Sequence, residues 1–262
     1  MSDHSAPITA LTGKRVVITR PAAQAQPLID GLKAAGAVPI LFPTIDIAPI
    51  QDNPPLGLAL RHLSAYDWIV FTSANGVRAV ADHLAALTLN AVALNGSRIA
   101  AIGPVTAAAL RDLGVHVDLQ PEAYIAEAIF AALQARGAVT GQRFLLLRAD
   151  IARATLREQL QTAGAQVEEV PVYHTVSGSP DAAAFAEVRR GVDVLTFTSS
   201  STVRYFFDLL PEAVTIAANA RIVCIGPITA QTARDYGLHV THVAEVYTVP
   251  GLLTALQSAV EL

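Results

Sequence analysis

The chain has 262 residues, of which 52% are hydrophobic and 15% are charged, so its composition excludes an intrinsically disordered protein. The formal net charge is −4 and the lysines and arginines are scattered along the chain, which argues against nucleic acid as the main partner. No apolar run approaches the roughly 20 residues of a membrane span, so no membrane partner is expected.

The predicted compartment is the cytosol. Residues 1–12, MSDHSAPITALT, lack the basic and apolar stretches of a signal peptide and predict a frayed tail. Cys224 is the single cysteine, which excludes an internal disulfide and is typical of a reducing compartment. Because Cys224 lies inside a predicted strand, we expect it to be a packing residue.

The sequence carries no signature of a bound cofactor. Its seven histidines show no metal-ligand spacing. Neither a G-x-G-x-x-G segment nor a P-loop lysine is present. We therefore expect no metal, nucleotide or flavin.

Strands and helices alternate along the chain, because apolar, β-branched runs are followed by amphipathic or alanine-rich ones. The predicted strands cover residues 14–19, 38–42, 67–72, 98–102, 115–119, 143–147, 166–170, 192–197, 221–225 and 239–243. Two proline-containing segments, 43–50 (PTIDIAPI) and 171–176 (PVYHTV), have the alternation of extended chain.

The two halves of the chain repeat each other. Residues 98–117 return as 221–240, with twelve of twenty positions identical. Two shorter pairs repeat in the same order, namely 13–20 with 141–148 and 69–78 with 195–204. Each longer copy reads as a strand, a Gly-Pro turn and a helix that ends at a glycine, which predicts βαβ units.

The repeat predicts an α/β fold of two similar domains, each a five-stranded parallel sheet flanked by helices. A tandem arrangement would divide the chain near Gly137. Alternatively, the extended segments 43–50 and 171–176 pair as a two-stranded linker, because they occupy equivalent places in the repeat. The domains then interleave, with 1–42 and 177–262 in the first and 51–170 in the second.

Ligands of open parallel sheets bind beyond the carboxyl ends of the strands. Six such ends carry hydroxyls, cationic groups or backbone N–H groups, at residues 20–21, 72–75, 103–106, 148–150, 198–201 and 226–229. A serine or threonine at such a place also has a structural role as a helix cap. Recurrence in both halves nevertheless favours a ligand with many carboxylates or phosphates, held by ends that face one another.

Tyr173 is a candidate of another kind, because it lies on the second extended segment, beside His174 and Thr175. An aromatic residue in a strand has an ordinary packing role. A phenol in a cleft can also donate a proton to a departing oxygen without bringing a negative charge near an anionic ligand.

In their order and spacing, six segments resemble the uroporphyrinogen-III synthases. They are VVITRP at 16–21, FTSANGV at 71–77, AIGPVTAAAL at 101–110, EVPVYHT at 169–175, FTSSSTV at 197–203 and CIGPITAQTA at 224–233. The resemblance implies two α/β domains with a two-stranded linker, the first built from both chain ends. It also implies a cofactor-free cytosolic lyase of tetrapyrrole biosynthesis, and we expect it to act as a monomer.

The reaction implied by this resemblance dehydrates and cyclises hydroxymethylbilane, a linear tetrapyrrole with eight carboxylates, while ring D is inverted. The resemblance assigns the acid that assists loss of the hydroxyl to Tyr173. It assigns substrate binding to Ser73, Ser199, Ser200 and Thr229. Thr106 follows from the repeat, and Arg20 and Arg148 follow from position alone.

Two other function classes are alternatives to this enzyme. One is a non-catalytic, hinged two-domain protein that binds a small polyanion, against which the lack of an export signal counts. The other is a regulatory response module, but each half lacks the acidic cluster and lysine expected of a phosphoacceptor domain.

Overall fold

The structure is a computed structural model that describes residues 11–137 and 139–260, so most of the predicted N-terminal tail, residues 1–10, lies outside the described residues. The chain divides into two units. The first contains the described residues of Met1–Asp46 and Val176–Leu262. The second contains those of Ile47–Thr175. Each unit is an α/β structure built on one sheet.

The described residues form ten strands. They are β1 (Arg15–Ile18), β2 (Val38–Leu41), β3 (Ile45–Pro49), β4 (Trp68–Phe71), β5 (Arg98–Ala101), β6 (Arg143–Ala149), β7 (Gln166–Ser177), β8 (Val194–Phe197), β9 (Arg221–Cys224) and β10 (Val240–Val243).

Helices connect most of these strands. They are α1 (Ala22–Ala34), α2 (Pro54–Arg61), α3 (Ala74–Ala86), α4 (Pro104–Asp112), α5 (Ala126–Ala135), α6 (Thr155–Thr162), α7 (Ala182–Arg189), α8 (Ser200–Leu209), α9 (Ala213–Ala217), α10 (Pro227–Asp235) and α11 (Val249–Val260). None of these described helices has both the length and the hydrophobicity that crossing a lipid bilayer requires.

Each sheet has five strands, as the repeat predicts. The first sheet has the order β10-β9-β8-β1-β2, and its neighbouring strands pair in parallel. The second has the order β3-β7-β6-β4-β5, and its pairs β7–β6, β6–β4 and β4–β5 are parallel. The predicted linker segments are neighbours in this second sheet, as parts of β3 and β7. The predicted fold class is confirmed.

One predicted strand is wrong. Residues 115–119 form only an isolated bridge between Ala100 and Leu119, and the fifth strand of the second sheet is β3. The reason is a competing acceptor, since the Asp118 carboxylate accepts a hydrogen bond from the N–H of Ile99 at 2.8 Å. A short polar side chain that binds the backbone in this way replaces one of the backbone hydrogen bonds between the strands.

The repeat has the same feature at the equivalent position. The hydroxyl Oγ1 of Thr241 accepts a hydrogen bond from the N–H of Ile222 at 3.1 Å. There the ladder of β10 continues, with a register shift between Val240 and His242. The carboxylate therefore interrupts the edge of its sheet more than the hydroxyl does.

A second difference concerns β7. Residues 166–170 and 171–176 were predicted as separate elements because of Pro171, yet they form one strand of 12 residues. The strand continues past the proline because its pairing with β6 resumes one residue later, with Tyr173 opposite Ala149. A proline within a strand is tolerated at such a bulge.

Both faces of each sheet are buried under helices. In the second unit, Ile69 and Phe71 of β4 belong to one apolar cluster, while Trp68 and Val70 belong to the cluster on the other face. The first unit is divided in the same way, into the clusters that contain Val17 and Val16 respectively. Since a fully buried large apolar side chain contributes about 1.5–3 kcal/mol, these four clusters stabilise the two units.

Gly178 lies where the chain returns to the first unit. A Cβ at this position would lie 2.0 Å from the carbonyl oxygen of Pro43 and 2.9 Å from the backbone nitrogen of Ile45. The Gly178 N–H also donates to the carbonyl of Thr44 at 2.9 Å. Because the surrounding atoms are backbone, they cannot move aside as a side chain would.

We expect Gly178→Ala to lower the free energy of unfolding by about 1–3 kcal/mol, the usual cost of overpacking. Urea unfolding measures this change. The matched control is Gly57→Ala in α2, where the nearest atom to a new Cβ is Nε2 of His83 at 3.6 Å. Removing a helix-interior glycine should raise stability by about 0.5–1 kcal/mol. Equal stabilities of the two variants would contradict the steric argument.

Candidate active site

The centre of the candidate site is a pair of hydroxyls in the second unit. The phenol oxygen of Tyr173 lies 3.0 Å from Oγ of Ser73, and Asn75 also hydrogen-bonds the phenol. Ser73 follows β4 and caps α3, where its Oγ accepts from the N–H of Gly76 at 3.0 Å. The phenol therefore meets the start of a helix at the carboxyl edge of the sheet.

The environment keeps the Tyr173 phenol protonated. Its residue is only 7% exposed, and this burial raises the pKa of the phenol. The Asp150 carboxylate raises the pKa further, whereas the hydrogen bonds from Ser73 and Asn75 lower it in part. A neutral phenol in this position can donate a proton.

The Gly-Pro turns form a second type of site, once in each unit. Gly103 and Gly226 precede α4 and α10, and each helix has a proline in its first turn. Thr106 and Thr229 are buried in the same first turns. Backbone N–H groups at such helix starts favour anions.

Each Gly-Pro turn is covered by a tyrosine that the sequence analysis missed. A Cβ on Gly103 would lie 3.1 Å from Cγ of Tyr124, and one on Gly226 would lie 3.3 Å from Cγ of Tyr247. The signal was available in the repeat, since both tyrosines end a Glu-x-Tyr segment. Glycine thus lets the ring pack directly against the backbone, and a side chain at either position would push the ring away by a few tenths of an ångström.

The predicted serines of the first unit have partners within it. Ser199 caps α8, with its Oγ accepting from the N–H of Thr202 at 3.1 Å. Ser200 Oγ lies 2.7 Å from the hydroxyl of Thr232 in α10. These hydroxyls order the carboxyl edge of the first sheet.

The two predicted arginines have different surroundings. Arg148 is 2% exposed, its Nε lies 3.7 Å from Oε1 of Glu169, and its guanidinium donates to the carbonyl of Arg153. Arg20 has a buried donor, Nη1, without a hydrogen-bond partner among the described residues. Burial lowers the pKa of both guanidinium groups. Each guanidinium therefore has one buried donor without a hydrogen-bond partner among the described residues, Nη1 of Arg20 and Nε of Arg148, and Arg148 also faces a carboxylate.

Of the eight predicted site residues, the structure brings Ser73 and Tyr173 into direct contact. Asn75 and Asp150, which also face this phenol, lay within the strand ends that the sequence analysis considered but were not selected. The direction of a side chain depends on the strand register, which the sequence alone does not provide.

Other reactive groups do not add to the site. Burial raises the pKa of the Cys224 thiol to about 12, so this cysteine is an inert packing residue. In the described part of the chain, no group of three or more histidine, cysteine, aspartate or glutamate side chains is arranged to hold a metal.

Comparison with known proteins gives a consistent result. Residues 26–254 match the family described as uroporphyrinogen-III synthase HemD. The chain is 35% identical to the uroporphyrinogen-III synthase of Synechococcus elongatus over 255 residues, which cover 94% of this chain and 96% of the relative. It is 28% identical to that of Chlorobaculum parvum, over 95% of this chain and 100% of the relative.

Solved structures share the fold. A mutant uroporphyrinogen III synthase from the extremely thermophilic bacterium Thermus thermophilus has a TM-score of 0.68 at 19% identity, covering 95% of this chain and 99% of its own. Uroporphyrinogen-III synthetase from Helicobacter pylori has a TM-score of 0.59 at 18% identity, covering 94% and 99%. At these identities the likeness concerns the fold alone.

Because the pKa of Tyr173 is raised, the free energy of unfolding should change with pH in the alkaline range. The folded pKa lies above the unfolded value of about 10. The contribution of the neutral phenol is therefore fully present below about pH 10 and is lost as the pH rises through the folded pKa. We expect the free energy of unfolding of the wild type to fall more steeply above about pH 10 than that of Tyr173→Phe.

Urea unfolding at several pH values between about 8 and 11 measures these slopes, and equal slopes would contradict the assignment. Ser73→Ala serves as a second variant. Because the Ser73 hydroxyl stabilises the phenolate, its removal should raise the Tyr173 pKa further, which absorbance titration of the folded protein detects.

Proposed function

The chain belongs to the uroporphyrinogen-III synthase family, as the resemblance predicted, and from this premise we propose that it converts hydroxymethylbilane to uroporphyrinogen III. It is a cyclising hydro-lyase of tetrapyrrole biosynthesis. The observation that carries the proposed mechanism is the contact between Tyr173 and Ser73, because it joins two of the segments on which the resemblance rests.

Tyr173 acts as the acid in the first step. The C–O bond of the ring A hydroxymethyl group breaks as the pyrrole nitrogen supplies an electron pair, and the phenol gives its proton to the departing hydroxyl, which leaves as water. The product is an azafulvene in its protonated, cationic form, since the pyrrole nitrogen keeps its proton, and the Tyr173 phenolate balances the charge. General acid catalysis of this kind contributes about 10²- to 10⁴-fold, and a phenol with a raised pKa lies at or below the lower end.

Carbon–carbon bond formation follows without a further protein nucleophile. Ring D attacks the azafulvene through its substituted carbon and gives a spiro intermediate. One bond of the spiro centre then breaks and closes again at the other carbon, which inverts ring D. The proton that ring D loses restores the pyrrole and balances the proton given up by Tyr173.

Holding the substrate is the larger task, because a linear tetrapyrrole left alone can close to the type I isomer. A folded geometry that favours the spiro route supplies the selectivity. We assign substrate carboxylates to the helix starts at Thr106 and Thr229, and to the turns that contain Ser73, Ser199 and Ser200.

Arg20 is the strongest cationic candidate for binding a carboxylate. Its Nη1 has no hydrogen-bond partner among the described residues, and a buried unpaired donor costs about 1–3 kcal/mol. A substrate carboxylate would remove that cost. Arg148 stays a predicted binding residue, with weaker support because Glu169 already faces it.

The reaction is redox-neutral and needs proton transfer alone, so we propose that no metal or organic cofactor takes part. The cytosol is the proposed compartment, because a chain with one cysteine fits a reducing environment. A monomer is proposed, since the candidate groups named above all come from one chain.

The product ratio tests the proposed function. Given hydroxymethylbilane, the wild type should release mainly the type III isomer, whereas substrate without protein should give the type I isomer. Chromatography of the oxidised products separates the two. Tight binding of the substrate without acceleration or change of isomer would instead support the non-catalytic binding protein.

Tyr173→Phe should lower kcat by about 10- to 100-fold, because the acid is lost while the ring is kept. The matched control is Tyr66→Phe. Tyr66 is likewise 7% exposed, and its phenol donates to Oε2 of Glu168 at 2.6 Å. Tyr66 precedes the first residue of β4, whereas Ser73 follows the last. This control should keep the wild-type kcat. A Tyr173→Phe enzyme of unchanged rate would remove the phenol from the mechanism.

The two arginines should respond differently to substitution by glutamine. Arg20→Gln should raise KM by about 10- to 100-fold, because a hydrogen bond to a charged group contributes about 1.5–3 kcal/mol. Arg148→Gln should mainly lower the free energy of unfolding, by about 1–3 kcal/mol, because the carbonyl of Arg153 loses its donor, while Glu169 keeps Arg157 as an ion-pair partner. Steady-state kinetics and urea unfolding of both variants separate the two roles. An unchanged KM for Arg20→Gln would contradict substrate binding.

A further inference from the structure

The direction of the Tyr173 side chain depends on a β-bulge in β7. Arg148 pairs with Pro171 and Ala149 pairs with Tyr173, so Val172 is an extra residue without a partner on β6. The alternation of burial changes phase at the same point. Val170 and Val172 are buried and Pro171 is exposed, but Tyr173 is buried next to Val172.

The bulge brings Tyr173 to the face that contains Ser73. Val170, Val172 and Tyr173 all belong to the same apolar cluster, on one face of the second sheet. In a regular strand, side chains alternate between faces, so Tyr173 would share the face of Pro171. One inserted residue therefore moves the phenol from the Pro171 face of β7 to the face from which it reaches the carboxyl edge of β4.

Asp150 holds the chain directly after this bulge. Its N–H donates to the carbonyl of Tyr173 at 3.2 Å. Its carboxylate accepts from the N–H of Thr175 at 3.2 Å and lies 2.7 Å from Nδ1 of His174. The residue thus contacts three consecutive residues of β7, at the point where β6 has ended and its ladder can no longer hold the strand.

The carboxylate is ionised and can accept all of these bonds. Burial would raise the pKa of Asp150, but the hydrogen bonds from His174 and from the N–H groups of Thr175 and Ile151 outweigh it and lower the pKa. Bonds to an ionised acceptor are about twice as strong as neutral ones. The hydrogen bonds of the Asp150 carboxylate to His174 and Thr175 are therefore present at neutral pH.

The other half of the chain provides an internal comparison. In the repeat, Arg20 corresponds to Arg148 and Pro43 to Pro171, a constant offset along the chain. With the same offset, Ala22 is the residue of the first half that corresponds to Asp150, and Ile45 is the one that corresponds to Tyr173. The half that lacks the phenol also lacks the carboxylate.

We propose that Asp150 is a positioning residue that fixes the bulge of β7 and thereby directs the Tyr173 phenol toward Ser73. The inference rests on the proposed function for its catalytic consequence, since Tyr173 is the acid there. Its structural part does not need the reaction, so the two parts are tested by different measurements.

The structural test uses fluorine NMR of protein labelled with 3-fluorotyrosine to follow the exposure of the Tyr173 ring. The Tyr173 resonance is identified by its absence from the spectrum of Tyr173→Phe. The change in its chemical shift between H₂O and D₂O reports contact with solvent. We expect a small shift in the wild type and a clearly larger one in Asp150→Ala. An unchanged shift in Asp150→Ala overturns the inference, whatever the activity.

Asp118→Ala is the matched control. Asp118 also binds a strand N–H of the second unit, and the two side chains are similarly exposed, 30% for Asp118 and 28% for Asp150. Its loss should leave the Tyr173 signal unchanged. Asp150→Asn keeps an acceptor oxygen for Thr175 but loses the charge that faces His174, so its shift should lie between those of the wild type and Asp150→Ala. If Asp150→Ala fails to fold, a wild-type shift in Asp150→Asn overturns the inference.

The kinetic test is a double-mutant cycle. Asp150→Ala alone should lower kcat about 10- to 100-fold with little change in KM, because a misplaced catalytic group loses rate rather than binding. In the Tyr173→Phe background the same substitution should have no further effect on kcat. Full additivity of the two losses would overturn the inference. A Tyr173→Phe enzyme of normal rate would contradict the proposed acid, while the labelling result would still decide the position of the ring.

Discussion

Burial of both faces of each sheet is the constraint on which the rest of the structure depends. Strands β4 and β8 are buried at every position, so a functional polar side chain has no place along them. Polar groups are therefore concentrated where the strands end and helices begin, and parallel pairing collects these ends at one edge. The position of the chemistry follows from how the core is made, before any particular residue is considered.

The two halves have kept this plan and diverged in its use. Both retain the Gly-Pro turn with a tyrosine ring packed against the glycine. The segment after the second strand has changed more. In the first unit Thr44 is completely buried, and its hydroxyl donates to the carbonyl of Thr202 at 3.0 Å, whereas the equivalent part of β7 carries Tyr173. The two similar edges thus differ in this segment, and one of them carries the proposed acid.

Much of this architecture could be predicted from the sequence, because it depends on local patterns. The apolar runs of β4 and β8, the glycines that end helices and the caps at Ser73 and Ser199 all act within a few residues. What escaped prediction depends on contacts between distant segments. Asp118 removes a predicted strand by binding Ile99, and the bulge at Val172 is defined only by the partner strand. The meeting of Tyr173 with Ser73 is of this second kind, since a hundred residues separate them.

The interleaved order of the units affects how the protein is made on the ribosome. Strand β1 lies at the interior of the first sheet, between β2 and β8, yet β8 emerges only after the whole of the second unit, residues 47–175, has been synthesised. At about 5–20 residues per second this delay lasts roughly 6–26 seconds. During that time the apolar strand β1 has one of its two neighbours, and all residues of the second unit are synthesised before β8. The second unit is therefore complete in sequence before the first, whose N-terminal part must wait for the C-terminal residues to be synthesised.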